Sequence, residues 1–246
     1  MYLHGSLAFG EYFPGASDID FVAVLSARPD DAQLAGLAAA HDDVRAAFPR
    51  PHFDGVHLIS SDLAKPPDAC PDVPCVLAGS FEQAGRFSVN PVTWHELAWR
   101  GITMLGPDLA DGQVWTDHAA LRSFTYANLT SYWMPVAARL RSAPPEAITP
   151  DDVAWSVLGV SRLHHLLATG SMTSKSGAGR YASTAFSPRW RPVVAEALRA
   201  REHPDAPSAY ADDLVARGRD TAAFTTMAIE SGLACGLFGP TAGLVL

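Results

Sequence analysis

The strongest constraint on the fold is a change in the sequence pattern near residue 116. Before it, apolar runs such as Asp18–Leu25 and Phe53–Ile59 alternate with turns and helical segments, which is typical of a sheet with covering helices. After it, only helical periodicity is found, as in the segment that starts at Thr149-Pro150 and ends at Gly170. The sequence therefore predicts an α+β chain, with an N-terminal mixed-sheet domain at residues 1–115 and an all-α helical bundle domain at residues 116–246.

The same patterns predict individual elements. In the first domain we expect further strands at Met1–His4 and Ile102–Leu105 and helices at Asp30–Phe48 and Thr93–Arg100. A loop is expected from Lys65 to Pro74. In the second we expect a helix at Leu121–Arg141 broken at Pro135, a polar loop at Ser171–Gly179, a helix at Trp190–Arg199, and one at Ala211–Gly232 interrupted at Gly218.

Composition limits the classes of partner. The chain of 246 residues is 48% apolar and 18% charged, so it can bury a substantial core. Its 18 Lys and Arg against 26 Asp and Glu give a net charge of -8, which disfavours nucleic acid and favours cationic partners. The odd number of cysteines, and the lack of a zinc-ligand spacing around Cys70 and Cys75, indicate reduced thiols. Without a signal peptide or an apolar window of about 20 residues, we expect a cytoplasmic protein with no membrane partner.

The most specific chemistry lies between residues 5 and 20. Gly5-Ser6 forms a turn in which backbone N–H groups and a hydroxyl can approach phosphate oxygens. Asp18 and Asp20, at positions i and i+2 of a strand, point to the same face and can hold one magnesium ion or bridge two. A D-x-D pair alone usually marks a turn or a solvated strand end. Here the pair opens an apolar strand, where two like charges are costly unless a partner neutralises them.

The segment G-S-L-A-F-G-E-Y-F-P-G-A-S-D-I-D-F resembles the G-S-x11-D-x-D signature of the polymerase-β-like nucleotidyltransferase superfamily. In the rear half, R-L-H-H-L-L-A-T-G-S-M-T-S-K resembles the helical domain of streptomycin/spectinomycin-type aminoglycoside adenylyltransferases. The likeness extends from about residue 3 to about residue 200. It implies a nucleotidyltransferase domain followed by a helical domain, ATP as co-substrate, Mg²⁺ in a two-ion arrangement, and AMP transfer to a hydroxyl group of a small cationic acceptor with release of pyrophosphate.

The resemblance also implies roles for particular residues. Gly5, Ser6 and the adjoining Ser17 would bind the triphosphate, and Asp18 and Asp20 would be catalytic metal ligands. Arg162 and Lys175 would reach the phosphates from the helical domain, and Asp152 would contact the cationic acceptor.

Simpler interpretations stand beside these roles. Arg162 lies in an apolar helical stretch, where it needs an anionic partner, and a structural salt bridge would also satisfy it. Lys175 is equally consistent with an ordinary solvated lysine. Trp155, one turn from Asp152, is predicted either to stack on a ring of the substrate or to belong to the core. His164 and His165 are interpreted as packing or surface residues rather than metal ligands.

The third carboxylate of the family, a general base on the acceptor hydroxyl, is the weakest match. The third strand reads F-D-G-V-H-L-I, so the family glutamate aligns with Gly55 or, after a shift of one residue, with Asp54. We predict Asp54 as the base, with His57 or Glu82 as alternatives and loss of the base as a further one.

Three other functions are alternatives for a chain with these motifs. Short nucleotidyltransferases can modify a protein side chain, although a substantial helical domain favours a pocket for a small acceptor. A chain that has lost its base would be a catalytically degenerate nucleotide- or ligand-binding protein. An RNA-modifying nucleotidyltransferase is disfavoured by the net charge of -8.

Overall fold

The computed structural model describes residues 1–110 and 112–238 of the chain. It divides into two compact units, Met1–Leu121 and Arg122–Leu246. The first is built on a mixed sheet and the second is helical, so the predicted α+β class is confirmed. The division lies inside a helix, slightly after the predicted boundary between residues 115 and 116, and the assignment of two functional domains stays a prediction.

The first unit contains a six-stranded sheet with the order β5-β4-β3-β2-β1-β6. β2 and β3 are parallel, and the other neighbouring strands are antiparallel. The strands are β1 (Tyr2–His4), β2 (Ile19–Leu25), β3 (Phe53–Ile59), β4 (Val73–Leu77), β5 (Ser80–Gly85) and β6 (Ile102–Thr103).

Helical segments of the first unit cover both faces of this sheet. Because side chains alternate along a strand, Val22 and Val56 enter a core with Trp94, whereas Phe21 faces His41 on the opposite side. The segments are α1 (Gly5–Ala8), α2 (Asp31–Ala47), α3 (Ser60–Leu63) and α4 (Pro91–Arg100), and α5 (His118–Asn128) begins in this unit.

The helix ends follow capping chemistry. Asp30 and Gln33 form a reciprocal capping box at the start of α2. Asn90 accepts hydrogen bonds from the N–H groups of Val92 and Thr93, with Pro91 in the first turn of α4. α4 therefore begins at Pro91, two residues before the predicted start.

The predicted loop from Lys65 to Pro74 is wrong at its end, because β4 begins at Val73 and forms a hairpin with β5. Pro74 has no N–H group for a sheet, and the register with β5 shifts between Val73 and Cys75. The proline thus lies at an irregularity of the ladder, where its missing donor is tolerated.

The second unit packs helices around one apolar core that contains Trp133, Leu158, Val194 and Phe224. Thr149 caps the central helix and Gly170 ends it with φ 75°, as predicted. Besides the remainder of α5, the helices are α6 (Met134–Ser142), α7 (Pro150–Thr169), α8 (Lys175–Ala185), α9 (Arg191–Glu202) and α10 (Leu214–Phe238).

Three predictions in this unit are wrong. Pro135 does not break the helical path, because a π-helical turn, Leu129–Trp133, connects α5 to α6. The predicted loop Ser171–Gly179 becomes helical at Lys175, where Ser174 caps α8. Gly218 does not interrupt α10; a Cβ atom there would lie 2.1 Å from the carbonyl oxygen of Pro145, so glycine permits close packing.

Among the described residues, no helix combines the length and the apolar composition that crossing a membrane requires.

Candidate functional site

The two aspartates of the D-x-D pair lie at the start of β2. Asp18 immediately precedes the strand, and its side chain is 46% exposed. Its Oδ1 atom accepts a hydrogen bond from the backbone N–H of His52 at 3.3 Å and lies 3.8 Å from the guanidinium of Arg50. Asp20 is the second residue of β2. The pair is therefore placed at a strand end, with one member open to solvent.

The strand register aligns Asp20 with residues on both neighbouring strands. It is paired with His4 of β1 on one side and with Asp54 of β3 on the other. Since directly paired residues of adjacent strands share a face, the three side chains form a row across the sheet. The predicted metal ligand thus stands beside the predicted general base.

The turn after β1 lies against Asp20. Gly5 has φ +63°, and a Cβ atom there would be 2.0 Å from Asp20 Oδ2. Only glycine fits this position, because a side chain would be strained in the left-handed region and would displace the carboxylate. The structure thus brings the predicted phosphate-binding turn directly to the predicted metal ligand.

Two serines complete this part of the first unit. The Oγ atom of Ser6 is buried and has no hydrogen-bond partner among the described residues. A buried hydroxyl without a partner fits a place where a ligand oxygen completes the hydrogen bonding. Ser17 is 7% exposed, and its Oγ atom accepts from the backbone N–H of Phe13 at 3.1 Å, which closes the loop before Asp18.

Glu96 supports the turn from α4 and was not identified from the sequence. Its Oε2 atom accepts a hydrogen bond from the backbone N–H of Gly5 at 3.1 Å and lies 3.0 Å from His4 Nδ1. Both residues are buried, with 5% of their surface exposed. The only signal in the sequence was an acidic residue on the apolar face of a predicted helix.

Asp54, the predicted base, is 5% exposed and holds the turn between β4 and β5. Its Oδ2 atom accepts from the N–H of Ala78 at 2.8 Å, and its Oδ1 atom accepts from the N–H of Gly79 at 3.0 Å. Both turn residues have positive φ, 50° and 72°. Each oxygen of the carboxylate therefore has a structural hydrogen bond, and the role as base stays a prediction.

The alternatives to Asp54 are less well placed. A Cβ atom on Gly55 would lie 2.0 Å from the carbonyl oxygen of Phe21, so this position takes no side chain. His57 lies on the opposite face, with its Nε2 atom 2.9 Å from His41 Nε2. Burial, and secondarily the charge of His41, lowers the pKa of His57 to about 4. Glu82 is exposed on β5 and is paired with Cys75 rather than with Asp54.

The predicted residues of the second unit lie on α7 and at the start of α8. Arg162 is partly buried on α7, and no hydrogen bond or ion pair of its guanidinium is found among the described residues. The alternative of a structural salt bridge is therefore not observed there. Lys175 is the first residue of α8 and is partly buried. Their phosphate-binding roles stay predictions.

Asp152 and Trp155 lie in the first turns of α7. The Oδ2 atom of Asp152 accepts from the N–H and hydroxyl of Thr149, at 2.9 and 2.6 Å, and closes the capping box. The indole of Trp155 is 4.8 Å from that of Trp133, centroid to centroid, and packs at the edge of the helical core. Asp152 therefore has a structural role, and contact of either residue with an acceptor stays a prediction.

His164 is a satisfied core residue, as interpreted from the sequence. Its ring nitrogens lie 2.9 Å from the hydroxyls of Tyr181 and Ser231. Burial, and then the charge of His165, lowers its pKa to about 4.

Comparisons with known proteins agree with these features. Residues 124–223 match the family described as "Aminoglycoside adenylyltransferase, C-terminal domain". The fold matches the crystal structure of spectinomycin adenyltransferase AAD(9) from Enterococcus faecialis with ATP and spectinomycin, at 13% identity and a TM-score of 0.61, over 92% of this chain and 90% of that chain. A comparison with curated proteins found no significant match. The predicted resemblance of the helical region to aminoglycoside adenylyltransferases is confirmed, and the fold is shared along most of the chain.

Proposed function

We propose that this chain transfers AMP from ATP to a hydroxyl group of an aminoglycoside or aminocyclitol and releases pyrophosphate. The proposal is supported by the match of residues 124–223 to the aminoglycoside adenylyltransferase C-terminal domain and by the fold shared with a spectinomycin adenyltransferase. The observation that carries this proposal is the close approach of the Gly5 turn to Asp20, where a Cβ atom on Gly5 would be 2.0 Å from Oδ2. In such a transfer the phosphate-binding turn and the metal-binding carboxylate must be adjacent, because both act on the same triphosphate. Positioning of that group and neutralisation of its charge supply most of the catalysis.

The residues present fit Mg²⁺. Among residues 1–110 and 112–238, no cluster of three or more His, Cys, Asp or Glu side chains that could hold a metal is found. Mg²⁺ is usually bound through one or two carboxylates together with substrate phosphates and water, so Asp18 and Asp20 suffice. When bound, the ion neutralises charge on the triphosphate and polarises the reacting oxygens.

The other steps belong to side chains of this chain. Ser6 binds triphosphate oxygens through its N–H and hydroxyl groups, and Gly5, whose own N–H donates to Glu96, lets the backbone approach them closely. Ser17 shapes the loop that precedes Asp18, and Arg162 and Lys175 add positive charge for the phosphates. Asp54 removes the proton from the acceptor hydroxyl as the AMP phosphorus–oxygen bond to that hydroxyl forms. Asp152 and Trp155 bind the acceptor through its ammonium groups and its ring faces.

The net charge of the chain supports a cationic acceptor. Aminoglycosides are polycations, and this chain has a net charge of -8. A protein of that charge attracts cationic ligands at long range and does not repel them on approach. The resemblance in the second unit points to the same class of acceptor.

The test is acceptor-dependent release of pyrophosphate from ATP and MgCl₂, across a panel that includes streptomycin and spectinomycin. We expect release with at least one acceptor, and its loss in Asp18→Asn and Asp20→Asn. Asp42→Asn is the matched control, because Asp42 is an exposed carboxylate that pairs with Arg45 on α2. ATP binding without release for any acceptor would instead support the degenerate binding protein, which the two hydrogen bonds to Asp54 make a specific alternative.

A further inference from the structure

Glu96 and His4 form a buried pair directly beneath the Gly5 turn. Glu96 Oε2 is shared between His4 Nδ1 at 3.0 Å and the Gly5 N–H at 3.1 Å. The pair is contributed by two elements, α4 and the end of β1, that pack against each other. One carboxylate oxygen thus ties the last residue of the strand and the first residue of the turn to the same helix.

The contact with Glu96 engages one of the two ring nitrogens of His4, the Nδ1 atom. The Nε2 atom of His4 is buried without a hydrogen-bond partner among the described residues. The histidine is therefore held through one nitrogen only, and that nitrogen depends on Glu96.

Because Glu96 is buried, losing the hydrogen bond between its carboxylate and the Gly5 N–H would be costly in free energy. A buried carboxylate is costly unless donors satisfy it, and a buried N–H without an acceptor is costly as well. Gly5 has φ +63°, a conformation that a glycine leaves readily when nothing holds it. The N–H bond to Glu96 is a direct restraint on this residue, which also lies against Asp20.

We propose that Glu96 is a positioning residue for nucleotide binding, which fixes the Gly5-Ser6 turn through the Gly5 N–H and holds His4 through Nδ1. The inference rests on the proposed function, because it assumes that the turn binds the triphosphate of ATP. Glu96 does not contact the nucleotide; it keeps the Ser6 N–H and hydroxyl groups and Asp20 in one arrangement before ATP binds. Preorganisation of this kind raises affinity by lowering the ordering cost of binding.

Three variants separate positioning from simple stability. Glu96→Gln keeps an oxygen at the shared acceptor position, whereas Glu96→Leu removes it. Asp62→Asn is the matched control, since Asp62 is a fully buried carboxylate of the same unit that accepts from the N–H of Ile59 and pairs with Arg28. The measurements are the Kd of ATP with MgCl₂ by calorimetry, urea unfolding, and hydrogen–deuterium exchange of the peptide that contains residues 2–9.

We expect Glu96→Leu to weaken ATP binding by about tenfold or more and to speed exchange in the 2–9 peptide without nucleotide. Glu96→Gln should bind ATP within about threefold of the unsubstituted chain. Asp62→Asn should lose stability without either effect.

The inference is overturned if Glu96→Leu binds ATP like the unsubstituted chain, or if Asp62→Asn weakens ATP binding as much at the same loss of stability. Both outcomes leave the proposed function intact. Failure of the unsubstituted chain to bind ATP is a different result, which refutes the proposed function and the inference together.

Discussion

Gly5→Ala tests the central contact of the site. A Cβ atom at this position would lie 2.0 Å from Asp20 Oδ2, whereas ordinary contact begins at 3.4 Å. The carboxylate would therefore have to retreat by about 1.4 Å, and a misplacement of about 1 Å in a reacting group can cost about 100-fold in rate. The left-handed backbone adds about 1–2 kcal/mol of strain for any residue with a Cβ atom.

Gly10→Ala is the matched control. Gly10 has φ +68°, close to that of Gly5, but nothing lies within 4 Å of the position its Cβ would take. Both variants carry the same kind of backbone strain, and only Gly5→Ala displaces Asp20. The difference between them isolates the effect of moving the carboxylate.

The assay combines urea unfolding with acceptor-dependent pyrophosphate release from ATP and MgCl₂. We expect both variants to lose about 1–2 kcal/mol of unfolding free energy from the left-handed alanine. Gly5→Ala should lose a further factor of about 100 in kcat/KM, which corresponds to about 2.7 kcal/mol of transition-state stabilisation. If the two variants have the same kcat/KM while both remain folded, the position of Asp20 does not govern transfer and the reasoning is refuted.

Three further predictions concern the strands and the buried histidines. Asp54→Asn should lose about 1–3 kcal/mol of stability, because its NH₂ group faces a turn N–H, and should lower kcat about 100-fold with little change in the KM for ATP; an unchanged kcat removes Asp54 as the base. Gly55→Ala should unfold at lower urea concentration than Gly10→Ala, since its Cβ would lie 2.0 Å from a backbone oxygen rather than in open space; equal midpoints would contradict this. Burial lowers the pKa of His57 and His164 to about 4, so below about pH 6.5 the unfolded chain binds more protons than the folded chain, and the unfolding free energy should fall toward pH 4. Urea midpoints measured between about pH 7 and pH 4.5 check this, and the dependence of the midpoint on pH should be weaker in His164→Gln.

The sequence correctly predicted elements whose ends are set by nearby residues, such as β3 and α7. β3 occupies Phe53–Ile59, as predicted, and α7 lies between its cap at Thr149 and the left-handed Gly170, because these signals act within a few residues. The β4–β5 hairpin was missed, since β5 reads S-F-E-Q-A-G and is mostly exposed at the edge of the sheet. Its residues have no apolar alternation, and their strand conformation depends on pairing with β4.

Helix α8 was missed for a different reason. Glycine disfavours an isolated helix, but a Cβ atom at Gly179 would lie 2.6 Å from a side-chain atom of Leu198 and 2.8 Å from one of Leu158. The glycine therefore permits neighbouring helices to pack closely, and α8 forms despite the poor helix propensity of glycine. Local propensity was overridden by tertiary packing, which no window of the sequence contains.

Within the site, the residues of the sequence motif were predictable and the residue that supports them was not. The motif spacing was sufficient to propose Gly5, Ser6, Asp18 and Asp20 together, because these residues must contact one ligand and lie on one turn and one strand. The supporting contacts of Glu96 could not be predicted, since α4 lies about 90 residues along the chain and its glutamate reads as one more helix former.

The row across β1, β2 and β3 explains why carboxylates with different roles occur together. Asp20 has one paired residue on each side, His4 on β1 and Asp54 on β3. Two buried carboxylates near this row hold turns: Glu96 holds the turn after β1, and Asp54 holds the turn between β4 and β5. Two backbone N–H groups donate to Asp54, and Glu96 contacts the Gly5 N–H and His4 Nδ1, so both carboxylates have partners without a metal ion. Asp18 has a different environment, because it is 46% exposed and its nearest cation is 3.8 Å away. Asp18 is therefore the carboxylate of this set that is most open to a cation from solution, which supports the proposal that the metal is bound by Asp18 and its strand neighbour Asp20. Glu96 and Asp54 anchor turns, a structural role that Asp54 has in addition to its proposed role as the base.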